Sequence, residues 1–185
     1  GNANSNHEAG HAAKSFLAQV TASVAKLLGV NSDEIIYTSG ASESNNTAIR
    51  GIIQAKRHVG KHIITNPLEH SSVSATLTAL QEAGYDIEMV KIGTDGKIDV
   101  EDLKSLLRKD TVLVTVNAVD SELGTVQPLE SINNIVREFP NCSLHVDATQ
   151  AIGKTPVNLN LADTASIGAH KFYGLSGSGL LYKKS

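Results

Sequence analysis

Apolar and polar positions along the chain switch repeatedly between a helical period and a strand period. From Glu8 to Leu28 the apolar residues recur at helical spacing, and Gly29 is suited to end that helix. Four further helices are predicted over about residues 42–58, 71–83, 99–107 and 129–139. Short runs rich in β-branched and apolar residues predict strands at about 35–38, 63–65, 86–92, 111–116, 144–146, 165–167 and 179–182.

The alternation of strands and helices predicts a single α/β domain over residues 1–185. The run Thr111–Val116 is typical of a strand that is buried on both faces. We therefore expect three layers, with helices on both faces of a mostly parallel sheet. Ligands in such folds bind at the carboxyl ends of the strands, so the polar residues that follow each strand are the candidates for chemistry.

Composition narrows the partners that this domain can have. The 185 residues include 41% apolar and 19% charged residues, and the net charge of −3 implies no nucleic-acid or anionic-membrane partner. The single cysteine, Cys142, excludes an internal disulfide and suits a reducing cytoplasm, which is the location we expect. We also expect a piece of a longer protein, because Gly1 starts in mid-loop and Leu180–Ser185 stops where a strand should lead onward.

The segment after the first strand has the composition of an anion-binding turn. Gly40 and Ala41 are small enough to let the backbone approach a ligand, and free N–H groups at the start of the next helix can hold a phosphate. The alternative is a simple helix start that is capped by Ser42. Both interpretations are compatible with this sequence.

Two further strand ends carry an ionisable side chain. His70 follows the second strand, where it is either a surface residue or a ring that stacks on a flat ligand and moves protons. Asp147 ends a buried strand, where a carboxylate is costly unless it is paired. Its partner is either a turn of the backbone or a protonated pyridine nitrogen. The polar segment Asn117–Gly124 is equally compatible with an ordinary loop and with ligand contact.

The pair His170-Lys171 lies between an apolar run and closely spaced glycines. A lysine in a dry pocket loses proton affinity and becomes a nucleophilic amine, which forms a Schiff base with an aldehyde. The alternative is a surface lysine in a glycine-rich turn.

Two other motifs are weaker candidates. The segment His7–His11 satisfies the H-E-x-x-H pattern of zinc proteases, but it contains Gly10 and lacks a downstream third ligand. Cys142 lies in a predicted surface turn, and no histidine is spaced so as to suggest a catalytic pair with it, so we expect an unreactive thiol. The sequence therefore predicts no metal site.

Taken together, these segments resemble the class V aminotransferase family and, within it, the cysteine desulfurases. The matching segments occur in order at family-like spacing across essentially the whole chain. They are Gly1–Gly10, Thr38–Asn46, Lys61–Thr65, Glu69-His70, Asp95–Asp99, Glu122–Pro128, His145–Gln150 and Ala169–Gly174.

The resemblance implies a fold-type-I enzyme that uses pyridoxal 5′-phosphate (PLP). It implies that Lys171 carries the Schiff base, that Asp147 pairs with the pyridinium nitrogen, and that His70 stacks on the ring and moves protons. The remaining cofactor contacts implied by the resemblance are Gln150 with the phenolic oxygen, and Ala41, Ser42 and His170 with the phosphate.

Three departures from the family pattern weaken the expected cofactor site. Ser121 stands where an asparagine usually helps to hold the cofactor or substrate, so it offers only a shorter contact. Gly168 stands where a phosphate-binding serine is usual, which removes one hydroxyl donor. The third departure is the absence from this chain of a C-terminal small domain, which in desulfurases supplies the sulfur-accepting cysteine and a substrate-binding arginine.

The resemblance predicts the PLP-binding large domain of a cysteine desulfurase-like enzyme. Such an enzyme converts L-cysteine to L-alanine and passes the sulfur to its own cysteine and then to an acceptor protein, as in iron–sulfur cluster assembly. We expect a homodimer in the full enzyme and no desulfurase activity from this chain alone. The alternatives are another class V enzyme, such as an aminotransferase or a selenocysteine lyase, and a non-catalytic scaffold or dimerisation module.

Overall fold

The computed structural model describes residues 2–185; Gly1, which belongs to the first matching segment, lies outside the described residues. The helices are α1 (Glu8–Leu28), α2 (Ala41–Ala55), α3 (Ser71–Glu82), α4 (Val100–Leu106) and α5 (Leu129–Val136). The strands are β1 (Ile35–Thr38), β2 (His62–Thr65), β3 (Asp86–Met89), β4 (Thr111–Asn117), β5 (Ser143–Asp147), β6 (Thr164–Gly168) and β7 (Gly179–Lys183). Short 3₁₀ turns cover Ser32–Glu34, Leu159–Leu161 and Ala169–Phe172.

The seven strands form one sheet in the order β1-β7-β6-β5-β4-β2-β3. Strands β2, β3, β4, β5 and β6 are parallel to one another, whereas β7 is antiparallel to both β1 and β6. Strand β1 therefore runs in the same direction as the parallel strands. The mostly parallel sheet that the sequence predicts is confirmed, and the carboxyl ends of six strands lie at one edge.

Adjacent residues of the central strands point to opposite faces, and each face has its own apolar core. Ile63 of β2 packs with residues of α2 and α3, including Ile49 and Leu77. Its neighbour Ile64 belongs to the core on the other face, with residues of α4 and α5 such as Leu103. Helices on both faces of the sheet are thus confirmed, and the domain has three layers.

Several predicted boundaries are wrong by a few residues. The strand predicted to end at Ile92 stops at Met89, because the chain reverses after Gly93 and Ile92 forms an antiparallel bridge with Ile98. Two helices, α2 and α5, each end three residues before their predicted ends. Helix α2 is capped by Gly40 rather than by the side chain of Ser42.

Helix α1 has the predicted length but buries little of its apolar stripe. Gly29 ends it in the left-handed conformation, with φ of 67°. Phe16 and Leu27 nevertheless remain 65% and 86% exposed, whereas Ala25 is buried. Within residues 2–185, neither α1 nor any other helix combines the length and apolarity required to cross a bilayer.

Candidate functional site

A pocket of about 330 Å³ opens at the edge where the parallel strands end. The nine residues that the sequence singles out all line it, although they come from five separate segments of the chain. They are Gly40, Ala41, Ser42, His70, Ser121, Asp147, Gln150, His170 and Lys171. The volume of the pocket and its position, where the carboxyl ends of parallel strands converge, are typical of a small-molecule site.

The start of α2 presents unpaired backbone donors to this pocket. The first helical bond runs from the Ser44 N–H to the Gly40 carbonyl at 3.1 Å, and no side chain caps the helix. The N–H groups of the three preceding residues therefore have no helical acceptor. A Cβ at Gly179 would lie 2.6 Å from the Cα of Gly40, so glycine at Gly179 is what allows this close approach to the sheet. The arrangement suits a phosphate group.

Asp147 lies at the end of β5 and is 7% exposed. Its Oδ1 accepts from the Thr149 N–H at 3.0 Å, and its Oδ2 accepts from the Asn45 Nδ2 at 2.8 Å. Within residues 2–185 no cationic side chain lies within 4 Å of this carboxylate. A buried carboxylate that lines a pocket without a counter-ion suits a cationic ligand group such as a protonated ring nitrogen.

Behind Asp147 lies a buried hydrogen-bond chain that the sequence analysis missed. The Nδ2 group of Asn45 donates to Asp147, so its Oδ1 is the acceptor for the His145 Nε2–H at 3.0 Å. The other nitrogen of His145, Nδ1, then accepts from the Thr164 hydroxyl at 2.8 Å. Asn45 and His145 are both 0% exposed, and burial lowers the pKa of His145 to about 4. The imidazole is therefore neutral, and the chain of hydrogen bonds holds the Asp147 carboxylate as an acceptor.

Glu69 is a second buried carboxyl group close to this chain. The residue is half-buried, but its Oε2 atom is fully enclosed and has no hydrogen-bond partner among residues 2–185. Burial and the negative charge of Asp147 raise the pKa of Glu69 well above its usual range. The protonated form of Glu69 is favoured, which keeps a second negative charge away from Asp147.

His70 and Lys171 both lie on the exposed side of the pocket. His70 caps α3, with its Nδ1 accepting from the Ser72 N–H at 3.1 Å. Lys171 lies in the 3₁₀ turn Ala169–Phe172 that follows β6. Of the two settings considered for this lysine, the structure has the exposed one, because Lys171 and His170 are both exposed.

Two further groups in the pocket have a polar atom that is free for a ligand. Gln150 accepts from the Lys154 Nζ through Oε1 at 2.8 Å, which leaves its Nε2 group as the free donor. Thr149 is 8% exposed, and its hydroxyl has no hydrogen-bond partner among residues 2–185. Together with the acceptor Asp147, this donor set fits a ligand that carries a phosphate, an oxygen substituent and a protonated ring nitrogen, which is the chemistry of PLP.

Gly168 lies in a crowded part of the site. A Cβ built there would be 3.1 Å from the Thr149 Cγ2, 3.3 Å from the Ala41 Cβ and 3.3 Å from the His170 Cε1. A side chain at this position would therefore press on these three neighbours. Ser121, the other departure, is exposed at the pocket rim and follows Asp120, whose Oδ1 closes a turn by accepting from the Leu123 N–H.

The two weaker candidates play structural roles. His7 caps α1, and its Nδ1 accepts from the Gly10 N–H at 3.1 Å. Cys142 is 3% exposed, and burial raises the pKa of its thiol to about 12. It precedes β5, whereas Asp147 ends that strand, so about 16 Å of extended chain separates the two residues.

Comparison with known proteins gives the class of this domain. The family model for aminotransferase class V matches residues 1–185. The chain belongs to this family, and its members are PLP-dependent enzymes.

Relatives within the family include cysteine desulfurases and NifS-like proteins. The chain is 46% identical to a NifS/IcsS protein homolog from Lactobacillus delbrueckii subsp. bulgaricus, over 100% of the chain and 49% of the relative. It is 40% identical to the cysteine desulfurase IscS from Dictyoglomus turgidum, over 98% of the chain and 46% of the relative. The chain therefore spans about half the length of the curated relatives it matches.

Solved structures give the same result for the fold. A NifS-like protein superposes with a TM-score of 0.97 at 38% identity, over 100% of this chain and 52% of that one. DndA from Streptomyces lividans superposes with a TM-score of 0.90 at 37% identity, over 100% of this chain and 52% of that one. The PLP-dependent fold expected from the sequence is confirmed.

Proposed function

We propose that this chain is the PLP-binding large domain of a cysteine desulfurase-like enzyme. The observation that carries the proposal is the buried carboxylate of Asp147, which has no counter-ion among residues 2–185 and faces the same pocket as Lys171 and the open start of α2. In support, the chain is 40% identical to a relative named cysteine desulfurase IscS, and one structural neighbour, SspA, is described in complex with cysteine. The proposed substrate is L-cysteine and the proposed products are L-alanine and transferred sulfur.

Each pocket residue has a role that follows from its chemistry. Asp147, held as an acceptor by Asn45, would pair with the protonated ring nitrogen, while Gln150 would donate to the phenolic oxygen. The open N–H groups at the start of α2 would bind the phosphate. When bound, PLP supplies an electron sink.

Lys171 would attach the cofactor covalently, and His70 would transfer protons. Lys171 is the amine in the pocket, and it would bind the aldehyde carbon of the cofactor covalently. His70 Nδ1 is engaged by the Ser72 N–H, so the Nε2 atom would be the one that exchanges protons with a ligand.

This chain alone should not complete the sulfur transfer. A sulfur-accepting cysteine must be a reachable thiolate, and Cys142 is buried with a raised pKa. We propose that a cysteine outside these 185 residues takes that role and hands the sulfur to an acceptor protein. We also propose a homodimer and a cytoplasmic location, although curated relatives named mitochondrial and mitosomal belong to the same group.

The proposal is tested by adding PLP to the purified chain, reducing with borohydride and locating the cofactor by mass spectrometry. We expect the label on the peptide that contains Lys171, and we expect Lys171→Ala to remove it. Lys14→Ala, at an exposed position of α1 outside the pocket, is the matched control and should label like the wild type. A wild-type chain that takes up no PLP would instead support the scaffold alternative, and labelling spread equally over lysines would refute the role of Lys171.

A further inference from the structure

The amino-terminal edge of the sheet, opposite the pocket, holds a cluster of potential metal ligands. His62 begins β2, while Asp86 and Glu88 lie on β3. One ligand atom from each of the three lies within 4.8 Å of the others. The parallel register explains the cluster, because His62 is paired with Asp86 and Ile64 with Glu88. Alternate residues of β3 project to the same side, so both carboxylates reach His62.

His62 is the feature that separates this cluster from an ordinary acidic surface. The residue is 0% exposed, and its Nε2 makes no well-aligned hydrogen bond with any residue in the described chain, 2–185. That nitrogen lies 3.3 Å from the Glu88 Oε2. Among residues 2–185, Nε2 is thus an unpaired polar atom of a fully buried ring, and it lies beside the Glu88 carboxylate.

The hydrogen bond on the other side of the ring is compatible with a lone pair on Nε2. His62 Nδ1 lies 2.7 Å from the Thr111 Oγ1, which already accepts from the Arg108 N–H at 2.8 Å. A hydroxyl oxygen has a second lone pair, so it can accept from Nδ1–H as well. In that tautomer Nε2 presents its lone pair to the two carboxylates. A neutral imidazole whose far nitrogen is held by a hydrogen bond is the usual arrangement of a metal-binding histidine.

The charge of the cluster also suits a divalent cation. Arg108 Nη2 contacts Asp86 at 2.8 Å, but the same guanidinium contacts Asp110 at 3.1 Å. One positive charge is therefore shared between two carboxylates. Within residues 2–185, Glu88 has no basic group other than His62 within 4 Å. Asp86 and Glu88 have side chains 54% and 38% exposed, so they can close around an ion and leave positions for water.

We infer that His62, Asp86 and Glu88 form a zinc-binding site that ties the edge strand β3 to β2. One imidazole nitrogen and two carboxylate oxygens are ordinary Zn²⁺ ligands. The 3.3 Å separation between the His62 and Glu88 atoms is close to the edge of a tetrahedron with ligands about 2.1 Å from the metal. The site is independent of the proposed function. The alternative is that the two acids merely protect an edge strand from pairing with another chain.

Calorimetric titration of Zn²⁺ into the purified chain tests the inference. The titrations use a His7→Gln/His11→Gln background, because the i, i+4 histidines on α1 are a competing pair. Loss of outer-shell partners alone weakens metal sites about 10–100-fold, so we expect His62→Gln and Glu88→Gln each to weaken one binding event at least about tenfold. His58→Gln, an exposed histidine outside the cluster, should leave the affinity unchanged.

Two further measurements keep the outcome decisive. Far-UV circular dichroism establishes that His62→Gln is folded, and Glu88→Gln, at a half-exposed position, repeats the test if it is not. Zinc should raise the melting temperature of the background protein and should not raise that of Glu88→Gln. No zinc binding to the background protein, or equal affinity in the background, His62→Gln and Glu88→Gln proteins, would overturn the site and leave edge protection as the role of the two acids.

Discussion

His145 and His62 are both 0% exposed in the same sheet, but they are bonded differently. His145 uses both ring nitrogens, with Thr164 at 2.8 Å and Asn45 at 3.0 Å. Among residues 2–185, His62 makes a hydrogen bond through Nδ1 only, and its Nε2 points at half-exposed or exposed carboxylates. A fully paired buried histidine fixes the groups around it, whereas one with a free nitrogen is available to bind something else.

The contrast between paired and unpaired polar groups also distinguishes the carboxyl-terminal edge of the sheet from its amino-terminal edge. At the carboxyl end, the buried polar side chains support one another and leave Asp147 and Thr149 with free acceptor or hydroxyl groups in a pocket. At the amino end, Cys142 is buried beside Lys56 and offers no ligand group to solvent. The proposed cofactor chemistry uses the first edge, while the chemistry of the second edge depends on His62.

The largest loss of stability should come from breaking, at Asn45, the buried hydrogen-bond chain behind Asp147 at the carboxyl edge of the sheet. Asn45→Leu leaves the Asp147 Oδ2 and the His145 Nε2–H without their partner, and both are buried. We expect the free energy of unfolding in urea to fall by about 3 kcal/mol near neutral pH. Asn134→Leu makes the same change at an exposed position of α5 and should stay within about 0.5 kcal/mol of the wild type. Equal effects of the two substitutions would mean that the hydrogen-bond chain behind Asp147 contributes nothing to the free energy of unfolding.

A second effect should appear in the pH dependence of stability. His145 is neutral in the folded protein because its pKa is about 4, whereas the unfolded chain takes up a proton near 6.5. Its contribution is therefore present above pH 6.5 and is lost as the pH falls toward about 4. The full difference amounts to at most about 3 kcal/mol.

The two histidines should differ in how much of this acid sensitivity each carries. We expect His145→Gln to flatten the stability profile below pH 6.5 more than His62→Gln does. The reason is that the carboxylates of Glu88 and Asp86 oppose the lowering of the pKa of His62. Urea unfolding of both variants at several pH values measures the difference. A larger flattening in His62→Gln would contradict the view that the carboxylates of Glu88 and Asp86 offset the effect of burial on His62.

Much of the pocket at the carboxyl edge of the sheet could be predicted from the sequence because its residues follow strands. Gly40, His70, Asp147 and Lys171 were found at strand ends or by family resemblance, and they line one pocket. Asn45 and His145 were missed, since Asn45 and Asp147 are 102 positions apart and come into contact only when the chain is folded. No local pattern distinguishes such an asparagine from its neighbour Asn46.

The other edge could not be predicted, for a different physical reason. The segment Lys61–Thr65 was noticed as a family match, but His62 gains its neighbours only from the register between β2 and β3. A shift of one residue in that register would move the two acids of β3 to the opposite face. The exposed stripe of α1 is a similar case, because helical periodicity predicts the apolar face but not whether anything packs on it.

The smallest effect should come from returning a hydroxyl to the pocket at Gly168. Gly168→Ala adds only a Cβ, which presses on the Thr149 and Ala41 side chains and should cost about 1 kcal/mol of stability. Gly168→Ser adds the same Cβ together with a donor for phosphate. A charge-assisted hydrogen bond of about 1.5–3 kcal/mol corresponds to at least about tenfold tighter PLP binding by the serine variant than by the alanine variant. Fluorescence titration with PLP measures both affinities, and the alanine variant separates the hydroxyl from the crowding. Equal affinities would place the phosphate away from Gly168 and leave the backbone donors at the start of α2 as its main contact.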